Sequence, residues 1–551
     1  MNKAIILAVM ITVMGTTATN AEAVRLIVKE KSTSSISSLA GGQTKVLGAA
    51  KFKSITVESP EGGVEKLLGS LRESGQYESV EIDYMVSVPT PIWLEKAEQR
   101  VSGASTNDVP NDPWLSEQFY WNAQTETEMG HANILAAYQI SNPTHIPRIG
   151  VLDSGFGNHV DLEYSEGYSF TTVYDRVRGP EFLAVGPLSD CSFGHGLSVA
   201  SLIAAKTNNN EGIAGIVQSD IIAARVMYCG SGYLSDVATA LYWMAGGTVE
   251  DVPSISSPVD IVNMSLSTNA EACPFYMQDA IDYAVDSGVI IVVGASNDSG
   301  DVADFSPANC NNVITVGAVD RRGQKANFSN IGEEVDLVAP GINIIIAGPD
   351  DQYYWGEGTS FSAPLVAGIA AMARAEFPSL VHSEIESLLV NSTARTASEF
   401  DSLDTSCEND GCGSGVVDGE AFLLATREYM GGDISFIKHA LADGASCDEN
   451  LYLDFFGTAL KLCSMYEISF DSEATLEAGI TYELYKIEQG MAFDLSNGTK
   501  ILESEEPSII SGEISIDGSL YGYRVCTNGN CGDTLQRINS SNTAKPASCA
   551  E

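Results

Sequence analysis

Three short segments carry residue types that can do chemistry together. In Ile149-Gly-Val-Leu-Asp-Ser-Gly an apolar run ends on Asp153, just before a glycine-rich turn. Phe193-Gly-His-Gly-Leu-Ser-Val-Ala sets His195 between two glycines, where a run of small residues begins. Gly356-Glu-Gly-Thr-Ser-Phe-Ser-Ala-Pro sets Ser360 at the entry to an alanine-rich helical pattern, with Pro364 where a first turn tolerates it. A serine hydroxyl becomes a good nucleophile only when a base takes its proton. Histidine can do this, and a carboxylate on its other ring nitrogen fixes the tautomer. At a helix N-terminus the hydroxyl also sits among unpaired N–H groups and the positive dipole end, which favour developing negative charge. Taken singly, each residue has an ordinary reading: a turn or capping aspartate, a satisfied structural histidine, an N-cap serine. Together, in the order Asp, His, Ser, they describe an activated nucleophile.

The elements that must position these groups can be read from periodicity. Between about 111 and 432, short apolar runs alternate with helical stretches; Ile149-Gly-Val-Leu, Ile221-Ile-Ala-Ala, Ile261-Val-Asn-Met, Val289 to Val293 and Val313 to Val316 are examples. Apolar runs without alternation predict strands buried on both faces, and strands alternating with helices predict a parallel α/β sheet. In such a sheet ligands meet the carboxyl ends of the strands, which is where Asp153 falls. Residues 24 to about 89 read as a small α+β unit: strands at Arg25 to Val28 and Phe52 to Val57, and a helix with Val64, Leu67, Leu68 and Leu71 on one face. One further strand is expected from Val80 to Val88. A polar linker from about Glu95 to Asp112 follows. After Gly432 the rhythm changes to period two, in segments such as Ile480-Thr-Tyr-Glu-Leu-Tyr-Lys-Ile and Leu520-Tyr-Gly-Tyr-Arg-Val-Cys, which predicts an antiparallel β-sandwich with turns at Asn497-Gly498 and Asn528-Gly529.

Composition narrows the setting. Of 551 residues, 44% are apolar, enough for sizeable cores, and the prior is three or four domains. Twenty-nine basic against 73 acidic residues leave a net charge of −44. Phosphate backbones and anionic membranes repel such a chain, so nucleic acid and membrane surfaces are excluded as main partners. Lys3, the apolar run Ala4 to Met14 and Ala21-Glu22-Ala23 form a secretory signal, with the cut expected after Ala23. That run is too short to span a bilayer, and no later one is long enough, so a secreted chain without a membrane anchor is expected. Eleven cysteines suit an oxidising compartment, and Cys407 and Cys412, around a glycine-rich loop, are expected to pair. With six histidines and no Cys-x-x-Cys pair, nothing suggests zinc.

Asp153-Ser-Gly, His195-Gly-Leu-Ser-Val-Ala and Gly358-Thr-Ser-Phe-Ser-Ala-Pro resemble the three signatures of subtilisin-like serine proteases. The resemblance continues through Asn263-Met-Ser-Leu, Phe328-Ser-Asn-Ile-Gly, Val335-Asp-Leu-Val-Ala-Pro-Gly and Asn391-Ser-Thr-Ala, and covers about 110 to 430. It implies a subtilisin-like parallel sheet flanked by helices and hydrolysis of peptide bonds through an acyl-enzyme. Asp153, His195 and Ser360 would form the triad, and Asn297 would be the oxyanion donor. Ser265, Leu266, Ser267, Gly294 and Ala295 would flank an extended protein or peptide substrate. With no acidic residue in those two segments, a broad or apolar preference is expected. Two residues depart from the family pattern: Ser296 precedes Asn297 where Ala-Ala-Gly-Asn is usual, and Leu197 follows Gly196 where His-Gly-Thr is usual. A non-catalytic scaffold keeping this fold would lack one of the four catalytic residues, and all four are present. In a second alternative the C-terminal module carries the main role and the peptidase only frees it.

The resemblance implies further parts. Residues 24–110, with a ferredoxin-like α+β unit, match the inhibitory propeptide and linker of that family. The chain would be a zymogen that cuts itself between about Val101 and Asp112 and is held by its own propeptide. Residues 111–432 would be the peptidase domain, monomeric, and 433–551 a fibronectin type III-like module with Cys526 and Cys531 clipping a hairpin. Relatives with cysteines near these positions bridge them, which implies Cys191–Cys229, Cys273–Cys310 and Cys407–Cys412. Asp112, Asp161 and Asn209 match positions that ligate a structural calcium ion.

Overall fold

The apolar runs become strands of one sheet. In the computed structural model the described residues are 23–31, 43–47, 52–58, 63–88, 109–173 apart from 126, 178–183, 194–394 and 411–431, together with backbone strands between 437 and 537. Residues 1–22 of the expected signal, residues 89–108, which hold most of the linker expected from about Glu95 to Asp112, Cys191 and Cys407 lie outside them.

The N-terminal unit contains β1 (Ala23–Glu30), β2 (Gln43–Leu47), β3 (Phe52–Glu58), α1 (Val64–Glu73) and β4 (Tyr77–Ile82). Its sheet order is β2-β3-β1-β4, antiparallel throughout, and Leu68 and Leu71 of α1 pack on Leu26, Val28, Ile55 and Val80. The single strand expected from Val80 to Val88 is two. It breaks at Asp83-Tyr84, and β5 (Met85–Ser87) leaves its own sheet to pair elsewhere. The physical reason is that Asp83 turns its carboxylate into a neighbouring helix terminus instead of continuing the alternation.

The large unit is built on β6 (Arg148–Asp153), β7 (Glu166–Ser169), β8 (Asp220–Arg225), β9 (Ser231–Tyr233), β10 (Ile261–Met264), β11 (Thr268–Asn269), β12 (Ile290–Gly294), β13 (Phe305–Ser306), β14 (Ile314–Val319), β15 (Leu337–Pro340), β16 (Ile344–Gly348) and β17 (Gln352–Gly356). Seven of these make a parallel sheet in the order β15-β14-β12-β10-β6-β8-β7. Its helices include α2 (Ile134–Ile140), α3 (His195–Ala204), α4 (Leu234–Met244), α5 (Phe275–Asp286), α6 (Thr359–Glu376), α7 (His382–Asn391) and α8 (Gly419–Gly431).

Alternate strand residues feed two separate cores. Ile149, Val151, Ile221, Ile261, Ile290, Val292 and Ile314 join the core of α3 and α6, whereas Leu152, Ile222, Val262, Ile291 and Val293 join that of α4 and α5. Burial on both faces is what unbroken apolar runs require. Along α6 every residue except Arg374 is buried, and its small side chains permit close packing: a Cβ on Gly368 would stand 2.9 Å from Ile216.

Beyond residue 436 the described segments are antiparallel strands, in keeping with the period-two pattern. Cys447 stands opposite Cys463 in register, and Cys526 opposite Cys531. Among the described residues no helix is long and apolar enough to cross a membrane.

Candidate active site

From β6 the chain winds to β8 and β7 on one side, then crosses to β10, β12, β14 and β15 on the other. The reversal opens a crevice beyond the strand ends beside β6. Asp153 ends β6, His195 and Ser360 stand in the first turns of α3 and α6, Ser265 follows β10, and Asn297 follows β12.

His195 Nδ1 lies 2.9 Å from both carboxylate oxygens of Asp153. Asp153 is fully buried and also accepts the Ser154 N–H at 2.6 Å. With Nδ1–H donated to the carboxylate, the lone pair stays on Nε2. Gly196 is needed for this approach, because a Cβ there would meet the Gly155 carbonyl oxygen at 2.7 Å and the Asp153 side chain at 3.0 Å. Leu197 is fully buried. Two serines anchor α3: Ser198 Oγ donates to the Ala347 carbonyl at 2.8 Å, and Ser201 Oγ accepts the Ala347 N–H at 3.1 Å.

Ser360 is buried, and the Phe361 ring lies 6.0 Å from that of His195. The Ser360 carbonyl accepts Ser265 Oγ–H at 2.9 Å, and Ser265 Oγ in turn accepts Asn263 Nδ2–H at 3.0 Å. Asn297 Oδ1 accepts the Thr359 N–H at 2.9 Å, which leaves its amide nitrogen free to donate; that nitrogen is 3.5 Å from where a Cβ on Gly358 would stand. The structure therefore brings Asp153 to His195, and Asn297 to the turn bearing Ser360.

Of the expected substrate residues, Ser265, Leu266, Ser267 and Gly294 line a recess with Ser296, Thr359 and Ser360. Ala295 does not. Its side chain lies fully buried in the core, because its N–H pairs with Val316 and turns the methyl inward. The other side of the crevice is β9, and between β9 and Ser267 lies β5. Met85, Val86 and Ser87 pair antiparallel with Tyr233, Gly232 and Ser231, while Ser87 exchanges both backbone hydrogen bonds with Ser267 at 2.9 and 3.1 Å. Val86 is buried, and the Val88 N–H reaches the Gly230 carbonyl at 3.3 Å.

Sequence reasoning missed how this strand is held. Asp83 caps α4, accepting the Ser235 N–H at 3.0 Å and Oγ–H at 2.6 Å; Glu81 caps α5, accepting the Phe275 N–H at 2.9 Å. Arg25 lies 2.7 Å from Asp83. Acidic residues spaced two apart ahead of a docked strand were the available signal.

Asp112, Asp161 and Asn209 come together away from the crevice. Asp112 accepts the N–H groups of Asn208 and Asn209 at 3.0 and 3.3 Å; Asp161 accepts Asn209 Nδ2–H at 2.8 Å, the Ile213 N–H at 3.1 Å and the Tyr353 hydroxyl at 3.0 Å. Burial, with the Asp112 charge adding to it, pushes the Asp161 carboxyl up to about 7. Among the described residues no three His, Cys, Asp or Glu side chains are grouped to hold a metal. Cys273 and Cys310 form a disulfide, and Cys229 and Cys412 are also disulfide-bonded.

Residues 146–415 match the model of the Subtilase family. An extracellular protease of Xanthomonas campestris pv. campestris is 35% identical over 344 residues, 58% of this chain and 57% of that protein. An extracellular basic protease of Dichelobacter nodosus is 35% identical over 50% of each chain, and subtilisin Savinase of Lederbergia lenta is 34% identical over 51% of this chain and 90% of its own. The match thus spans only about half of the first two relatives. Among solved structures, a protease from Pseudoalteromonas arctica aligns with a TM-score of 0.51 and 32% identity, covering 57% of this chain and 99% of that one.

Proposed function

Because this chain belongs to the subtilase family, we propose that it is a secreted serine endopeptidase made as a self-processing zymogen. The single observation carrying this reading is the buried Asp153–His195 pair set in one crevice with Ser360 and Asn297. Ser360 Oγ attacks the scissile carbonyl while His195 Nε2 takes its proton. The negative oxygen that forms is received by Asn297 Nδ2–H and the Ser360 N–H. His195 then gives the proton to the leaving amine, and an acyl-enzyme remains. Water, activated by the same imidazole, hydrolyses the ester and restores Ser360. Asp153 holds the tautomer and stabilises the imidazolium.

Substrates bind as an added strand between β9 and Ser265-Leu-Ser267. The docked β5 supports this and the inhibitory role of residues 24–110: the N-terminal unit occupies the groove a substrate strand needs. Self-cleavage between about Val101 and Asp112 would free it; residues 101–108 are outside the described residues. Residues 1–23 serve export, in keeping with relatives named as extracellular. Residues 433–551 form a fibronectin type III-like sandwich, a spacer or a docking module, and Cys191–Cys229 and Cys407–Cys412 complete the disulfides. The peptidase acts as a monomer.

A structural calcium ion fits the second cluster. Asp112 and Asp161 would supply buried carboxylate oxygens and Asn209, whose amide N–H reaches Asp161, an amide oxygen, a donor set suited to a hard cation. The ion would tie the segment after the linker to the domain and takes no part in the reaction.

Ser360→Ala tests the function. The variant is expected to be secreted uncut and to hydrolyse no peptide. Normal maturation of this variant in a protease-free host, or wild-type hydrolysis by it, overturns the assignment.

A further inference from the structure

The recess beside Ser360 has two walls, Ser265-Leu-Ser267 after β10 and, at the end of β12, Gly294 with Ser296. A serine stands on each wall, and the two side chains meet: Ser267 Oγ lies 2.8 Å from Ser296 Oγ. Ser296 Oγ–H donates in turn to Asp298 Oδ2 at 2.7 Å, so Ser267 is the donor of the first bond. Both serines are more than nine-tenths buried.

Ser296 carries a side chain where the backbone disfavours one. Its φ is +81°, the left-handed region in which glycine is the unstrained residue. A strained side chain that spans a cleft next to a reacting group invites a functional explanation. The docked β5 gives the direction of the substrate strand. Ser87 pairs with Ser267, so an extended peptide runs on from there toward Ser265 and Ser360. The residue whose carbonyl reaches Ser360 Oγ must place its side chain in this recess.

The geometry points to a primary specificity pocket closed by the Ser267–Ser296–Asp298 chain, selecting substrates with glycine, alanine or serine on the acyl side of the cut bond. This inference rests on the peptidase reading and replaces the broad or apolar preference expected from sequence. A flat ring or a branched side chain needs wall atoms about 7–8 Å apart, twice the normal carbon contact distance. Two oxygens 2.8 Å apart leave no such slot. To open it, a large side chain must break the Ser267–Ser296 bond and leave the buried Ser267 hydroxyl without its acceptor, and nothing on an apolar side chain compensates for that.

The test uses the secreted, processed full-length protein and peptide p-nitroanilides that differ only in the residue before the scissile bond. Wild type is expected to favour Ala over Phe and Leu by on the order of 100-fold in kcat/KM. In Ser267→Gly/Ser296→Gly the ratio should move toward Phe by at least about 10-fold. Should that double variant not accumulate, Ser296→Gly alone, which also relieves the positive φ, should move it in the same direction. Equal or faster cleavage after Phe by wild type, abolished by Ser360→Ala, overturns this pocket assignment and leaves the peptidase reading standing. Absence of Ser360-dependent hydrolysis of any of these substrates overturns both.

Discussion

At the scale of single residues, the amide of Asn297 has a fixed orientation. Its oxygen is committed to the Thr359 N–H, so its nitrogen is the end available to a negative oxygen. Asn297→Ala should lower kcat by about 100- to 1000-fold, the scale for loss of one oxyanion donor, with little change in KM. Asn297→Asp keeps the acceptor for Thr359 but loses the donor, and should fall at least as far. Steady-state kinetics of both variants check this, and wild-type kcat in the aspartate form would remove Asn297 from the reaction. The same scale explains why two departures from the family pattern are tolerated. Leu197 becomes core while Ser198 and Ser201 do the anchoring, and Ser296 accepts a left-handed backbone.

At the scale of elements, two contacts make testable joints. Helix α7 is tied to the sheet by His382, whose Nδ1 accepts the Ile291 N–H at 3.2 Å. Burial pushes its pKa down to about 4. Glu386 lies 3.6 Å from Nε2, and a protonated ring would lose its Nδ1 acceptor. The folded pKa is below the unfolded value, so this contribution is fully present above about 6.5 and is lost as pH falls toward 4. The loss amounts to up to about 3 kcal/mol. His382→Gln should therefore flatten the acid-side decline of thermal stability between pH 7 and pH 4.5; an unchanged decline would exclude His382 as its source. The second joint is the Asp83 cap on α4. Removing a capping carboxylate costs about 1 kcal/mol, and Arg25 also loses the nearer of its two carboxylates, keeping Asp236 at 3.9 Å. The separately added N-terminal unit carrying Asp83→Ala should inhibit the mature enzyme at least about 10-fold less well than the unsubstituted one, as read from inhibition constants.

At the scale of the whole molecule, the N-terminal unit, the peptidase sheet and the segment beginning near Asn111 are joined across long sequence distances. The Asp112–Asp161–Asn209 cluster links the start of the large unit to the loop after α3. A bound calcium ion would stabilise only the folded state, so saturating calcium should raise the melting temperature of the mature protein by on the order of 5 °C over EGTA. Identical melting curves would leave the cluster as a hydrogen-bonded loop junction. Asp112→Ala should abolish the calcium response if the ion is held there.

What the sequence determined by itself was local or patterned. Unbroken apolar runs specify strands buried on both faces, whichever helices cover them, and Ile149 to Leu152 and Ile290 to Val293 took up those positions. The small residues after His195 and Ser360 specify helices that can be buried almost whole, as α3 is except for Ala204 and α6 except for Arg374. Tertiary structure decided what depends on distant partners. Val80 to Val88 alternates like one strand, yet the cap on α4 and the groove beside β9 divide it, because pairing energy comes from the strand opposite and not from the segment itself. Ala295 and Ser296 are neighbours in sequence, but one methyl faces the core and the next hydroxyl closes the recess. That choice rests on a positive φ and on a serine 29 residues earlier in the chain, neither of which periodicity encodes.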